Sequence, residues 1–398
     1  MMRISAATAL LTLSLFAAAP ALAQEQKVPC GGDLGAFLAD VKSEAIAKGI
    51  PGDAADRALA GAQIDRKVLS RDRGQGVFRQ TFLEFSRRTV SQARLDIGRR
   101  KIKEHADTFA RAEADYGVPA PVIAAFWAME TDFGAVQGDF NTRNALVTLA
   151  HDCRRPELFR PQLIALIEMV QHGDLDPDTN TGAWAGEIGQ VQMLPRDIIA
   201  YGTDGDGDGH VNLKKSEADV ILTAARFIQS LGYNRGEPWI QEVAIPGELP
   251  FDKTGLGGPL TAAEWFALGV QPRDGNTDFG HLKASITLPQ GRKGPAFLAY
   301  PNFDIYLEWN KSFIYTTSAA YFATRLAGAP PYQKGDPEPG LSPDEMKTLQ
   351  EKLQALGHDV GKIDGILGGG TRVAIQKEQQ RLGMAADGWA TRQLLNAL

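Results

Sequence analysis

Apolar side chains recur every three or four positions through much of this chain, and that spacing predicts a mainly helical protein. Over residues 33–115, runs rich in Ala, Arg and Glu carry apolar positions at helical spacing, as at Phe78, Phe82 and Phe85. Residues 87–111 read as one charged amphipathic helix whose charges form a solvated face. The helical pattern continues over 119–172, broken at Gly138-Asp139 and at Arg154-Arg155-Pro156. A polar, Gly-rich loop from Gly173 to Gly189 leads into another helix. After Gly232 the pattern turns irregular up to residue 294, and short apolar runs such as Ala284–Leu288 suit strands. Helix returns at Ser312–Leu326. Pro and Gly then mark a linker over 329–342. The remaining unit, 343–398, has helical stretches at Pro343–Leu356 and Thr371–Leu382 and a weak repeat of helix followed by Asp-Gly turn.

One of these helices ends in a candidate for chemistry. Pro119 and Pro121 suit a helix start and Gly134 its stop. Between them, Glu130 shares a stripe with Ile123, Phe126 and Trp127, the face a helix normally buries. A lone buried carboxylate is costly and escapes by a raised pKa. A carboxylic acid that stays protonated near neutrality is a general acid. The competing reading is an ordinary helix-end Glu turned to water. Asp132, two residues on, points elsewhere and cannot flank the same bond as Glu130.

The first 23 residues read as a leader to be removed: Arg3, an apolar core from Ala6 to Ala19, and a small-x-small site at Ala21-Leu22-Ala23. The core is too short to span a bilayer, and no other segment looks long and apolar enough to do so. An exported chain is thus expected, in the periplasm of a bacterium. Cys30 and Cys153, the two cysteines, then either pair in that oxidising setting or remain free buried thiols.

The chain has 398 residues, 43% of them hydrophobic, enough for two or three units with sizeable cores. A net charge of −6 and a pI near 5.6 argue against a nucleic-acid partner. They leave a polysaccharide partner open.

Two further constellations stand out. In the stretch 181–195, glycines at 182, 186 and 189 permit close backbone approach. There Gln190 and Gln192 suit sugar hydroxyls and acetamides, and Trp184 suits stacking on a ring. Then Asp204, Asp206 and Asp208 alternate with glycines up to His210, the opening of a calcium-binding loop with the carbonyl of His210 at position 7. Position 12 of that loop is Lys215 rather than Glu, so the last ligand must come from Glu217 or Asp219.

Together these motifs resemble the lytic murein transglycosylase B family. The carriers are METDFG at 129–134, GAWAGEIGQVQMLP at 182–195, DGDGDG at 204–209, EADVILTAARFI at 217–228 and NFDIYLEWNKSFIY at 302–315. The C-terminal unit resembles the type 1 peptidoglycan-binding domain through LQEKLQALG and IDGILGGGTRVAIQKEQQ. The resemblance implies a lysozyme-like helical catalytic domain with helical and mixed extensions over 24–328, plus a small three-helix domain. It implies cleavage of the β-1,4 bond between N-acetylmuramic acid and N-acetylglucosamine without water, leaving a 1,6-anhydro sugar. Glu130 matches the single acid/base. Gln192, Tyr315, Phe227, Trp309 and Asn310 match the substrate cleft, and Asp204, Asp206, Asp208, His210 and Asp219 the calcium ligands. It implies no organic cofactor, peptidoglycan strands as partner, and monomer is the default state. Ala183 stands where the family often has Ser, and Phe227 and Trp309 where it has Tyr. Glu187 stands at a position often small in the family. If it reaches the cleft, a hydrolytic muramidase route reopens with Glu187, or Asp152, as second carboxylate. A wall-binding protein with a degenerate catalytic domain is the rival of a different class.

Overall fold

The structure is a computed structural model and describes residues 28–74 and 80–398. The expected leader and Phe78 lie outside the described residues.

The N-terminal part is a succession of short helices: α1 (Leu34–Ala47), α2 (Gly52–Leu59), α3 (Arg66–Arg73), α4 (Phe82–Thr89), α5 (Gln92–Glu104) and α6 (Ala106–Tyr116). Asp33, Asp65, Thr81 and Ser91 each accept a hydrogen bond from a backbone N–H of the helix they start. The single helix expected over 87–111 is therefore three pieces. Ser91 caps a new helix after Thr89, and His105 leaves helical geometry at φ −111°, ψ 33°. The breaks let Phe85, Leu95 and Phe109 all turn inward.

Leu95 and Phe109 turn toward α7 (Ala120–Thr131), which is buried continuously from Val122 to Ala128. A helix apolar on every side belongs in the middle of a bundle. It packs against α5 and α6, and against α11 (Glu217–Ser230) and α14 (Phe313–Leu326). Beyond it lie α8 (Thr142–His151), α9 (Pro156–His172) and α10 (Pro195–Tyr201). Strands β1 (Phe140–Asn141) and β2 (Thr181–Gly182) pair antiparallel and tie the loop after α7 to the Gly-rich loop. Cys30 and Cys153 form a disulfide across 123 positions, which latches the start of the described chain beside α8.

A second, smaller core surrounds an antiparallel sheet of order β4-β3-β6-β5, formed by β3 (Ile240–Ala244), β4 (Gln271–Pro272), β5 (Ser285–Thr287) and β6 (Ala296–Ala299). Ala299 faces Ile240 on one side and Ser285 on the other. The apolar run at Ala284–Leu288 supplies β5, as its composition predicts. All four residues of β6 are buried, so it has no polar-apolar alternation to read. Trp265 on α12 (Ala262–Ala267) fills this core, with its indole N–H on Ala284 O at 2.8 Å. α13 (Pro301–Trp309) then leads into α14.

The C-terminal unit contains α15 (Pro343–Ala355), α16 (Gly369–Arg381) and α17 (Arg392–Ala397) around Met346, Leu349, Leu353, Ile375 and Leu394. The linker at 329–342 is packed against the rest of the chain as a strap. Tyr332 lays its ring 5.3 Å from Phe82 and 4.7 Å from Tyr321, with its hydroxyl 2.7 Å from Ser86 Oγ. Gln333 N donates to Glu242 Oε1 at 2.8 Å, and Asp336 N to Lys293 O at 2.9 Å. The C-terminal unit itself docks on the sheet region. Arg372 Nη2 donates to Pro289 O at 2.9 Å while its guanidinium lies 5.1 Å over the Phe313 ring. Gln376 Nε2 donates to Phe251 O at 2.7 Å. Among the described residues, no helix is long and apolar enough to cross a membrane.

Candidate active site

Glu130 sits in the last turn of α7 and keeps partial exposure, while the seven residues from Val122 to Ala128 are buried. Two donors meet its carboxyl from the far side of the bundle. Trp309 Nε1, at the end of α13, reaches Oε1 at 2.8 Å. The Tyr315 hydroxyl, in the first turn of α14, reaches the same Oε1 at 2.5 Å. Enclosure pushes the acid's pKa above the ordinary carboxylate range, the two donors oppose that rise, and the charge of Glu187 adds to it. Burial and the neighbouring Glu130 hold the Tyr315 phenol far above its usual pKa, so it stays a donor.

The turn after Glu130 is unusual. Asp132, Phe133 and Gly134 all have positive φ, at 55°, 58° and 87°. Such backbone persists only where its surroundings enforce it. Here Arg94 donates to Asp132 Oδ1 at 2.9 Å, to Thr89 O at 2.6 Å and to Ala128 O. Thr131 Oγ1 donates to Gln190 O at 2.5 Å and accepts from Gly134 N at 2.8 Å. A Cβ on Gly134 would lie 2.3 Å from Gln190 Oε1, so only glycine fits. The Glu130 motif and the Gly-rich motif are thus one interlocked unit.

That interlock reassigns Gln190. It is buried, its Oε1 accepts from Trp127 Nε1 at 3.0 Å and its Nε2 donates to Lys214 O at 3.3 Å. A carboxamide held inside at both ends is scaffold, and the expected sugar contact does not apply. Gln192, half-buried and in left-handed backbone at φ 50°, directs Nε2 to Gly189 O at 2.8 Å and Gln137 O at 3.3 Å. Trp184 packs partly buried against the main core.

Of the aromatic residues named from sequence, Phe227 and Trp309 meet each other, and Trp309 and Tyr315 meet at Glu130. Trp309 stacks on Phe126 at 4.3 Å and 23°, and Phe227 meets it edge-on at 5.4 Å. Tyr306 extends the stack on Phe126 at 4.7 Å. One face of Trp309 is therefore covered by Phe126. Asn310 sits beside the group, with Oδ1 turned onto Ser312 N at 2.9 Å in a helix-starting turn. Sequence reasoning missed Arg94 and the donor role of Trp309. Neither had a local signal, because both act on α7 from distant helices.

Glu187 is the other carboxyl at this site. It is largely enclosed, its pKa is raised by burial, and its Oε2 has no hydrogen-bond partner among the described residues. Asp152, weighed as an alternative, is ion-paired with Arg73 at 2.9 Å beside the disulfide.

In the acidic loop, carboxylate oxygens of Asp204, Asp206 and Asp219 all lie within 4.8 Å of one another. Asp219 is fully buried, and its oxygens accept from Gly205 N at 2.8 Å and Asn212 N at 2.6 Å. Glu217 is turned away, onto Lys101 Nζ at 2.7 Å and His105 Nε2 at 2.5 Å. Asp208 is directed onto His210 N at 2.9 Å and stands outside the trio, and the His210 ring bonds Asp174 at 2.9 Å. A cluster of hard oxygens of this kind fits a calcium ion, which would offset the repulsion among three carboxylates.

Comparison with known proteins shows the family of the chain. Residues 33–324 match the transglycosylase SLT domain family, and residues 342–398 match the peptidoglycan binding domain family. The chain superposes on SltB3 from Pseudomonas aeruginosa, solved in complex with NAG-anhNAM-pentapeptide, with a TM-score of 0.84 and 34% identity, over 92% of this chain and 99% of that one. It is 30% identical over 218 residues to the membrane-bound lytic murein transglycosylase B of Escherichia coli K12, a match spanning 53% of this chain and 58% of that protein's length. Slt35 of Escherichia coli, solved in complex with calcium, shares the fold at a TM-score of 0.63 and 23% identity, over 76% of this chain and 97% of that one. The mainly helical, lysozyme-like architecture is common to them. With its family match covering most of its length, the chain belongs to the transglycosylase SLT domain family and carries a peptidoglycan-binding domain at its C-terminal end.

Proposed function

We propose that this chain is an exported lytic transglycosylase that cleaves the β-1,4 bond between N-acetylmuramic acid and N-acetylglucosamine, with Glu130 as the single acid/base. The observation that carries the reading is the enclosed carboxyl of Glu130, held by Trp309 and Tyr315 and raised in pKa by burial. As an acid, Glu130 protonates the glycosidic oxygen while the bond from C1 to that oxygen breaks. As the resulting carboxylate, it takes the proton from the muramoyl C6 hydroxyl while O6 bonds to C1. The proton removed from O6 replaces the one given to the leaving sugar, and no water enters. Phe227, Gln192 and Asn310 are proposed to border the groove that takes the strand, as the resemblance implies.

A hydrolytic variant is the second reading, favoured by one observation, the unpartnered enclosed carboxyl of Glu187. Mass spectrometry of fragments released from purified peptidoglycan separates the two. Anhydro ends, one water lighter than hydrolysis products, support the transglycosylase, and reducing ends support a water route. Sacculus binding without release would move the protein to the binding class.

Calcium is proposed as a structural ion, held by Asp204, Asp206 and Asp219. Its chemistry there would be charge compensation that fixes the loop ahead of α11. The periplasm is the proposed location, supported by the disulfide, which suits an oxidising compartment. The C-terminal domain is proposed to hold the polymer while the groove cuts it.

A further inference from the structure

We infer that Trp309 is a positioning residue that, with Tyr315, makes the two oxygens of Glu130 unequal, so that Oε2 alone carries the proton in both halves of the reaction. The inference rests on Glu130 being the acid/base. Two donors to the carboxyl converge on Oε1, at 2.8 Å from Trp309 Nε1 and 2.5 Å from the Tyr315 hydroxyl. Among the described residues, no donor is directed to Oε2.

The polarity of this pair is fixed by chemistry. An indole N–H donates and never accepts, so Oε1 must be an acceptor whatever the protonation state of Glu130. A proton placed on Oε1 would face the indole hydrogen. In the acid form Oε1 is therefore the carbonyl oxygen and Oε2 the hydroxyl. In the carboxylate form Oε1 still receives two donors, and Oε2 is the oxygen left to act as base. The proton given to the leaving oxygen and the proton taken from the C6 hydroxyl thus pass through one atom. The substrate must bring both of its reacting oxygens within reach of Oε2 in turn.

The direction of the indole N–H is set by packing. The Trp309 ring lies on Phe126 of α7, the helix that carries Glu130, and Phe227 of α11 meets it edge-on. Rotating the N–H away from Oε1 would break that stack. Trp309 therefore acts through Glu130, without needing to touch the glycan.

The test compares Trp309→Phe, which keeps a stacking ring and removes the N–H, with Trp309→Tyr, Tyr315→Phe and Glu130→Gln. The readouts are pH profiles of kcat and kcat/KM on a soluble glycan fragment and the infrared carbonyl stretch of the Glu130 acid. Losing a donor to the carboxylate raises its pKa. In Trp309→Phe the basic limb should move to higher pH, kcat should fall on the order of tenfold with KM little changed, and the carbonyl stretch should rise. Tyr315→Phe should move the limb the same way, and covers the case in which Trp309→Phe fails to fold. Trp309→Tyr should restore part of the loss. A limb and carbonyl stretch that stay in place while KM rises would make Trp309 a sugar-stacking wall and overturn the inference. Turnover retained by Glu130→Gln would instead overturn the acid/base reading beneath it.

Discussion

Arg94 and Asp132 are joined at 2.9 Å across the end of α7, closing the turn that follows Glu130. The guanidinium also binds the carbonyls of Thr89 and Ala128, so one side chain from α5 holds three points around that turn. Arg94→Ala should lower kcat with KM little affected, and should cost about 2–3 kcal/mol of stability. Arg94→Lys should recover little, because a single ammonium cannot reach all three acceptors. Steady-state kinetics and denaturant melts check both statements.

Glu130→Gln should abolish release of anhydro fragments and also stabilise the protein at neutral pH. Because the fold raises the pKa of Glu130, the folded state binds that proton more tightly than the unfolded chain. The associated stability is fully present below the ordinary carboxylate range and is lost as pH rises through the raised value. A neutral amide removes that penalty, so the gain in Tm over the native protein should grow with pH. Equal melts at acid and neutral pH would refute it.

Glu187→Gln removes a like charge beside Glu130. The pKa of Glu130 should fall, and the basic limb of the pH profile should move down, opposite to the shift expected for Trp309→Phe. Anhydro products should persist. Reducing-end products in the native digest, together with loss of all turnover in Glu187→Gln, would assign Glu187 to a hydrolytic route.

Chelation should lower Tm if calcium binds the trio of acids, by about 2.7 kcal/mol of stability when the ion stands at a hundredfold its Kd. Asp219→Ala should lower stability even with calcium absent, because Asp219 also holds the N–H groups of Gly205 and Asn212. Asp208→Ala should matter less, since its carboxylate stands apart from the others. Melting scans with and without chelator decide all three.

Removing the disulfide by Cys153→Ser should cost about 2–5 kcal/mol. The bond closes a loop of 123 positions, and the same loss should follow reduction of the native protein. Identical melts with and without reductant would show that packing alone holds the N-terminal segment.

Much of this fold was legible because its helices are amphipathic and punctuated. Pro156 and Gly173 mark the two ends of α9, while Gly134 falls just beyond the end of α7, which Asp132 caps. The helix over 87–111 was misread because a long charged face conceals a break that depends on one serine hydroxyl, that of Ser91. The packing of the linker at 329–342 was not legible because Pro and Gly content says nothing of Tyr332, whose ring finds a slot between α4 and α14. At the site, Glu130 stood out as a carboxyl on an apolar stripe. Gln190 was misassigned because its type suits a sugar, and its actual partner, Trp127 Nε1, lies 63 positions away. Tertiary partners of that kind leave no periodicity to read.

The docked C-terminal domain has a mechanical consequence. A flexible tether would let the cutting groove sample any bond within a sphere around the anchor. The strap from Ala329 to Glu338 and the seat of Arg372 on Pro289 remove that sampling. If the C-terminal domain holds the polymer as proposed, the distance from grip to cut would be a fixed length of the molecule, and the enzyme would act as a gauge set from its point of attachment.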